Sequence, residues 1–94
     1  MRYEIEFTPS ADKAFRKLPK NVQKVARDRI DALEEDPRPS IATPLRWGLK
    51  GLWKIRIGDY RVAYTVQDEK LIVLVVGVGD RKEIYPILER MKKR

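Results

Sequence analysis

The first residues of the chain alternate between hydrophobic and polar side chains. Tyr3, Ile5 and Phe7 are separated by charged residues, and this period of two predicts a strand with one buried face. From residue 11 the hydrophobic positions recur every three or four residues, which is the period of a helix. Two helices are therefore predicted, separated by Pro19. Their apolar positions are Ala11, Ala14, Phe15 and Leu18, and then Val22, Val25, Ala26, Ile30 and Leu33.

These two predicted helices begin and end at residues that commonly start or stop helices. Thr8 followed by Pro9 is a typical helix start, because threonine caps the first turn and proline fits the first helical position. Pro19 is expected to end the first helix, and Asn21 is expected to cap the second. Residues 34–44 contain three prolines and predict an extended loop.

Three further strands are predicted in the second half of the chain. Residues 52–57 and 60–67 alternate in hydrophobicity around a two-residue turn, Gly58 and Asp59. Residues 71–78 are apolar on both faces, and a strand without a polar face is expected in the middle of a sheet. The chain ends in a short predicted helix whose apolar side consists of Ile87, Leu88 and Met91.

These elements predict an α+β fold in a single domain, residues 1–94. The expected order is β-α-α-β-β-β with a short C-terminal helix. The helical hairpin is expected to pack on one face of a mainly antiparallel four-stranded sheet. A chain of 94 residues is long enough for one small domain of this kind.

The composition limits the chemistry of the domain. The chain has no cysteine and no histidine, which excludes disulfides, thiolate metal sites and the side chain that most often acts as a general base. No cofactor is expected. The net charge of +7 favours a polyanionic partner such as nucleic acid, or an acidic protein. No segment has the pattern of a signal peptide or a membrane span, so a cytoplasmic protein without membrane association is expected.

Three cations are predicted to share one face of the hairpin around Gly58 and Asp59. With a two-residue loop, Arg56 pairs with Arg61, and Lys54 lies two positions from Arg56 on the same face. The cationic face has two interpretations: a solvated surface, or an anion site in which the arginines hold a phosphate. The other face is expected to be the core and carries Ile55, Ile57, Tyr60, Val62 and Tyr64.

The end of the last strand favours the anion site. Gly77 and Gly79 are expected to let the backbone bend and a ligand approach closely. Arg81 and Tyr85 follow, so a fourth cation and an aromatic ring would lie at the rim of the same face. Such an arrangement suits single-stranded nucleic acid. For Tyr85 the alternative is a packing role in the core or at the helix.

Two segments of the sequence resemble the RelE/ParE superfamily of bacterial and archaeal toxins. They are "PLRWGLKGLWKIRIGDYRVAYTV" and "VGVGDRKEIY", and the resemblance extends along nearly the whole chain. It implies a RelE-like fold and the toxin of a type II toxin–antitoxin pair, with an acidic, RelB-like antitoxin as partner. RelE-type members enter the ribosomal A site and cleave mRNA there without a metal, which inhibits translation.

The superfamily's active cluster is basic and contains an aromatic residue that stacks on a base of the message. Matched position by position, this cluster falls on Lys54, Arg56, Arg61, Arg81 and Tyr85. The sequence departs from the family pattern at Arg56, where some nucleases have lysine, and at Asp80, where many relatives have histidine. The interval between Arg81 and Tyr85 is also shorter than in some members.

The reaction of such nucleases gives each of these residues an expected role. The 2′-hydroxyl attacks the adjacent phosphorus and leaves a 2′,3′-cyclic phosphate and a 5′-hydroxyl. Lys54 is the candidate base, because neighbouring arginines disfavour a further positive charge and arginine itself keeps its proton. Arg56 and Arg61 would stabilise charge at phosphorus, and Tyr85 would stack on a base. Arg81 would either stabilise or protonate the leaving oxygen, and the sequence does not separate these roles.

Two other functions fit the same sequence. A ParE-like toxin would inhibit DNA gyrase without nuclease activity, although such members generally lack the full basic cluster and the closing tyrosine. A non-enzymatic nucleic-acid-binding module would bind RNA in a salt-dependent way and cleave none. The favoured expectation is a metal-independent endoribonuclease that acts on ribosome-bound mRNA.

Overall fold

The computed structural model describes residues 2–44 and 51–92 of the chain, with side chains described as far as Arg90. The elements are β1 (Glu4–Phe7), α1 (Pro9–Arg16), α2 (Lys20–Ala32), β2 (Thr43–Pro44), β3 (Leu52–Ile57), β4 (Tyr60–Gln67), β5 (Ile72–Asp80) and α3 (Arg81–Lys92). Residues 45–50, which carry part of the toxin-like motif, and the Met91 side chain, predicted on the apolar side of the last helix, lie outside the described residues. The predicted order of elements is confirmed, with one additional short strand.

The start of α1 agrees with the prediction. Thr8 Oγ1 accepts a hydrogen bond from the backbone N–H of Ala11 at 3.2 Å, and Pro9 occupies the first helical position. The first N–H groups of a helix have no partner within it. Thr8 therefore provides a hydrogen-bond acceptor for one of these N–H groups. Pro9 has no N–H, so one fewer group needs an acceptor.

The start of α2 differs from the prediction, because Asn21 does not cap it. The helix begins at Lys20, two residues earlier than a cap at Asn21 would allow, and Pro19 occupies the cap position without a side-chain hydrogen bond. Proline holds its own φ close to the helical value, here −53°. Its carbonyl accepts the first helical hydrogen bond from the N–H of Gln23 at 2.8 Å. The helix therefore starts at the proline and not at the polar residue after it.

The five strands form one mixed sheet in the order β1-β5-β4-β3-β2. Only β1 and β5 pair in parallel, so the predicted, mainly antiparallel sheet is confirmed. β5 lies between β1 and β4, as its two apolar faces predicted. The extra strand, β2, consists of Thr43 and Pro44 in the segment predicted as a loop. Its place at the edge explains how it can contain a proline, whose missing N–H needs no partner there.

The helical hairpin covers one face of the sheet, as predicted. Gln23 Nε2 donates a hydrogen bond to the Phe15 carbonyl at 3.0 Å and connects α2 to α1. Val25 was predicted in the buried stripe, but it is 41% exposed because it lies at the margin of the stripe formed by Ala26 and Ile30. The buried members of this core are Ala11, Phe15, Leu18, Ala26, Ile30, Leu33, Ile55, Ile57, Val62, Tyr64, Val73, Val75 and Val78.

A second, smaller core lies on the opposite face of the sheet, under α3. Ile84 and Leu88 are 1% and 2% exposed and pack against residues of β3, β4 and β5. The sequence predicted Ile87 and Leu88 on the apolar side of this helix but missed Ile84, and Ile87 is only half-buried. Both faces of the sheet are therefore covered near β5.

Polar side chains join the loop after α2 to the turn between β4 and β5. Arg38 donates hydrogen bonds of 3.2 and 2.7 Å to the Asp68 carboxylate, and the Tyr3 hydroxyl donates another of 2.6 Å. The bonds from Arg38 hold the pKa of Asp68 below its usual range, while the bond to Asp68 raises the pKa of Tyr3. Nearby, the Tyr64 hydroxyl donates to the Pro37 carbonyl at 2.8 Å, and burial raises the pKa of Tyr64 to about 12.

Replacing Asp68 by asparagine is expected to lower the free energy of unfolding at neutral pH, because the charged acceptor of these hydrogen bonds is lost. A carboxyl group whose pKa is lowered by folding stabilises the protein above its unfolded pKa of about 3.9. This contribution is lost as the pH falls through the lower, folded value. The difference in stability between wild type and Asp68→Asn should therefore shrink below about pH 4, as measured by urea unfolding at several pH values.

The matched control is Asp28→Asn, which removes an exposed carboxylate of α2 that is outside this network. It is expected to change the stability at neutral pH less than Asp68→Asn. Equal stabilities of the two variants would mean that the Arg38–Asp68–Tyr3 network does not stabilise the fold.

Candidate active site

The hairpin between β3 and β4 has the predicted register. Ile57 pairs with Tyr60 across a loop of Gly58 and Asp59, and Arg56 pairs with Arg61, while Lys54 pairs with Ala63 further along. Gly58 has a φ of +60°, in the left-handed region that favours glycine. A positive φ at the first loop residue alone is typical of the type II′ turn, which matches the twist of the strands. The local turn therefore fixes which cations face each other.

The two arginines are held by the loop of their own hairpin. Arg56 Nε donates a hydrogen bond to the Gly58 carbonyl at 3.0 Å, and Arg61 Nη1 donates to the Asp59 carbonyl at 3.1 Å. Directly paired residues of antiparallel strands have Cα atoms about 5 Å apart. A guanidinium group has five N–H donors, so one bond to the loop leaves donors for an anion. The result is a pair of oriented cations at the end of the hairpin.

Lys54 and the start of α3 lie on the same face as these arginines. Lys54 is half-buried and is two positions before Arg56 on β3. Arg61 is paired on its other side with Gly79 of β5, and α3 begins two residues later at Arg81. The three hairpin cations are thus brought together as predicted, beside the first turn of α3.

Arg81 and Tyr85 are four residues apart in α3, so they lie on one side of the helix. Arg81 is exposed, whereas Tyr85 is half-buried and packs against the second core. The short interval between them, seen in the sequence as a departure from the family, thus corresponds to one helical turn. Tyr85 contacts the second core, as the packing interpretation expects, and its stacking on a base stays a prediction.

Gly77 and Gly79 accommodate the helix and not a ligand, so the expected role of these glycines is wrong. A Cβ atom at Gly79 would lie 2.8 Å from Cβ of Glu83, and one at Gly77 would lie 3.0 Å from Cδ1 of Ile84. Neither glycine has a positive φ, so close packing against α3 explains why glycine occupies these two positions. A register shift opposite Ala63 and Tyr64 turns both glycines towards α3.

Asp80 caps α3, a role that the sequence interpretation missed. Its Oδ1 accepts hydrogen bonds from the N–H groups of Lys82 and Glu83 at 2.8 and 2.9 Å. In return, the Glu83 carboxylate lies 3.4 Å from the N–H of Asp80, which completes a capping box. The signal was present as an Asp and a Glu three residues apart before the apolar Ile84.

The cavities described among residues 2–44 and 51–92 lie away from the cationic face. One of them, of about 400 Å³, lies between α1 and α3 and is lined by Thr8, Ser10, Ala14, Val76, Gly77, Val78, Ile87 and Arg90. None of the five predicted site residues lines it. An open row of cations suits the backbone of a polymer better than a small molecule, which is usually bound in a concave pocket.

Acidic side chains do not form a candidate metal centre in the part of the chain that the structure describes, where no three of them cluster. None of the helices in residues 2–44 and 51–92 is long and apolar enough to cross a membrane.

The sequence is similar to toxins of known families. It matches the family described as the ParE toxin of the type II toxin–antitoxin system parDE over residues 5–85. It is 36% identical to the mRNA interferase toxin RelE of Escherichia coli, with 90% of this chain and 92% of the relative covered. It is 33% identical to the toxin RelG of Mycobacterium tuberculosis, with 90% and 98% covered.

Solved structures of RelE proteins have the same fold. A mutant of the E. coli toxin RelE in the free state has a TM-score of 0.80 at 32% identity, and 97% of this chain and 99% of that chain are covered. The intact E. coli RelBE toxin–antitoxin complex contains a chain with a TM-score of 0.75 at 34% identity, with 83% and 95% covered. The agreement in sequence and in fold leads to one conclusion: this chain belongs to the RelE/ParE superfamily of type II toxin–antitoxin toxins.

Proposed function

We propose that this toxin is a ribosome-dependent endoribonuclease that cleaves mRNA in the A site without a metal ion and so inhibits translation in the cytoplasm. The observation that carries the proposal is the pair Arg56 and Arg61, which face each other with their guanidinium groups oriented by the hairpin carbonyls. Two arginines at directly paired positions of neighbouring strands can bind one phosphate together. The name of the similar E. coli protein, mRNA interferase toxin RelE, supports phosphate chemistry on mRNA.

In the proposed reaction the 2′-oxygen of one nucleotide forms a bond to the adjacent phosphorus, and the bond from phosphorus to the 5′-oxygen breaks. Lys54 accepts the proton of the 2′-hydroxyl, because among the five site residues only Lys54 and Tyr85 can act as a base while arginine keeps its proton. Arg56 and Arg61 stabilise the extra negative charge on the phosphoryl oxygens.

The other two residues act on the leaving side and on the base. Arg81 stabilises the negative charge of the 5′-oxygen, since a guanidinium that keeps its proton is a better charge stabiliser than an acid. A water molecule then supplies the proton of the 5′-hydroxyl product. Tyr85 stacks on a base of the message and holds the attacking and leaving oxygens in line.

The open shape of the site gives the ribosome its role in this proposal. The cations lie on a sheet face and line none of the cavities described among residues 2–44 and 51–92, so we expect the protein alone to hold a flexible RNA strand poorly. A message fixed in a bent conformation by the ribosome would supply this orientation, which can contribute roughly 7–11 kcal/mol in well-oriented reactions. The exposed cations of α1 and α2 fit an approach to ribosomal RNA.

An acidic, RelB-like antitoxin is the proposed protein partner. The net charge of +7 favours such a partner, and the similar E. coli toxin was solved in a RelBE toxin–antitoxin complex. An antitoxin that covers Arg56 and Arg61 would neutralise the cations and exclude the message at once.

The second candidate is inhibition of DNA gyrase, because the matched family is described as the ParE toxin. This candidate requires no cleavage and assigns no role to the oriented arginine pair. A protein that only binds nucleic acid is a third possibility, and it also predicts no cleavage.

Expression of the toxin without an antitoxin is expected to stop protein synthesis while plasmid supercoiling stays normal. Incorporation of labelled amino acids and the supercoiling of a reporter plasmid would be followed together, and mapping of message ends would locate cleavage within codons. Loss of supercoiling with continued protein synthesis would instead assign the toxin to the gyrase inhibitors.

Arg61→Ala and Arg81→Ala are each expected to slow message cleavage by about 10²-fold or more, the usual effect of losing one transition-state charge contact. Neither residue belongs to the two buried cores, so thermal unfolding should change little. The control Arg29→Ala removes the same charge from an exposed position of α2, on the opposite face of the sheet. If Arg61→Ala or Arg81→Ala cleaves the message at the rate of this control, the replaced arginine has no catalytic role.

Tyr85→Leu is expected to slow cleavage by about tenfold or more, because stacking contributes roughly 1–3 kcal/mol per base. Leucine keeps an apolar side chain against the second core. Tyr85→Phe keeps the ring and should lose much less, as measured by single-turnover cleavage on ribosomes. Equal losses in the two variants would show that the hydroxyl is required and would contradict a role limited to stacking.

A further inference from the structure

We propose that Asp80 and Glu83 are positioning residues, which hold the first turn of α3 so that Arg81 and Tyr85 face the hairpin cations. The inference rests on the proposed nuclease function and adds a device to it that lies outside the five predicted site residues. Asp80 acts through the backbone of α3 and does not touch the message.

The capping box connects the side chains of Asp80 and Glu83 to backbone N–H groups at the start of α3. Asp80 Oδ1 accepts from the N–H groups of Lys82 and Glu83 at 2.8 and 2.9 Å, and Glu83 Oε1 lies 3.4 Å from the N–H of Asp80. Arg81 directly follows Asp80, and Tyr85 is two residues after Glu83. Any loosening of the cap therefore moves two site residues together.

Pro86 makes this turn unusually dependent on its cap. It lies inside α3, and a proline has no N–H to donate to the carbonyl four residues earlier, here that of Lys82. Its ring also crowds that carbonyl. One fewer backbone hydrogen bond thus connects the first turn of α3 to the rest of the helix. The hydrogen bonds to Asp80 compensate for this by stabilising the turn from its N-terminal end.

A close contact with β5 holds the first turn of α3 against the sheet. The position of a Cβ at Gly79 is 2.8 Å from Cβ of Glu83, and Gly79 is the residue paired with Arg61. The first turn of α3 therefore rests directly beside one of the hairpin cations. Because a misplacement of about 1 Å can slow an enzyme by about 10²-fold, this contact decides whether Arg81 reaches the scissile phosphate.

A cap acts mainly through its hydrogen-bond acceptor, and a neutral acceptor caps about as well as a charged one, which separates this role from acid–base chemistry. Serine also caps helices well, whereas alanine does not. If Asp80 took the place of the histidine found in many relatives and moved a proton, serine would fail as alanine does.

The experiment compares Asp80→Ala, Asp80→Ser and Thr8→Ala by single-turnover cleavage on programmed ribosomes over a range of toxin concentrations. Thr8→Ala is the matched control, since it removes the cap of α1, where Thr8 Oγ1 accepts from Ala11 at 3.2 Å. Asp80→Ala is expected to lower the rate constant at saturating toxin by tenfold or more, and Asp80→Ser should restore most of it. A merely destabilised toxin has fewer folded molecules, so Thr8→Ala should need more toxin for saturation but reach the wild-type rate.

A second variant tests the contact with β5 and leaves Asp80 in place. Gly79→Ala introduces a Cβ that collides with Glu83, and it is expected to lower the saturating rate in the same way. Hydrogen exchange of residues 81–85 should rise in Asp80→Ala and stay unchanged in Thr8→Ala.

The outcomes separate the inference from the function on which it rests. A wild-type toxin that cleaves no message overturns the proposed nuclease. If wild type cleaves, saturating rates of Asp80→Ala and Gly79→Ala within twofold of it overturn the positioning role alone. Failure of Asp80→Ser to rescue, with normal hydrogen exchange, would make the carboxylate a chemical group and also contradict the inference.

Discussion

The burial of β5 on both faces is the constraint on which the rest of the molecule depends. This strand is paired with β1 on one edge and β4 on the other, and its side chains enter two separate cores. A strand in this position can carry no charge along most of its length, which is why residues 72–79 contain none. The four cations of the candidate site are consequently carried by β3, β4 and the helix that follows β5.

A single register shift in β5 allows both faces to be packed. Val73 and Val75 face the helical hairpin, and Val78 does so too, although a regular alternation would turn it the other way. The shift brings two glycines under α3, and their lack of side chains lets the helix lie close to the sheet. Proximity of α3 to the hairpin therefore follows from an irregularity in the central strand.

The sequence predicted best the features that depend on neighbours in the chain. The register that places Arg56 opposite Arg61 depends only on Gly58 and Asp59, and the start of α1 depends only on Thr8 and Pro9. The pairing of two-residue β2 with β3 was missed, because prolines locally favour a loop and the edge position that tolerates Pro44 is a property of the whole sheet.

The unpredicted parts of the site depend on packing between distant residues. Ile84 was missed because the apolar side of α3 is defined by the sheet residues it meets, and the roles of Gly77 and Gly79 became clear only with the helix above them. The cap by Asp80 could have been read from its spacing to Glu83. The resemblance to the family marks this position only by the absence of a histidine, which concerns chemistry and not the backbone.

The parallel pairing of β1 with β5 has a consequence for the synthesis of the toxin. In the part of the chain that the structure describes, residues 4–7 pair with residues 72–75. The N-terminal strand therefore stays unpaired until most of the chain has been translated. The helix that brings Arg81 and Tyr85 is made later still. Folding of such distant partners is a late and slow event. The toxin can therefore reach its folded form only after residues 72–92 have been translated.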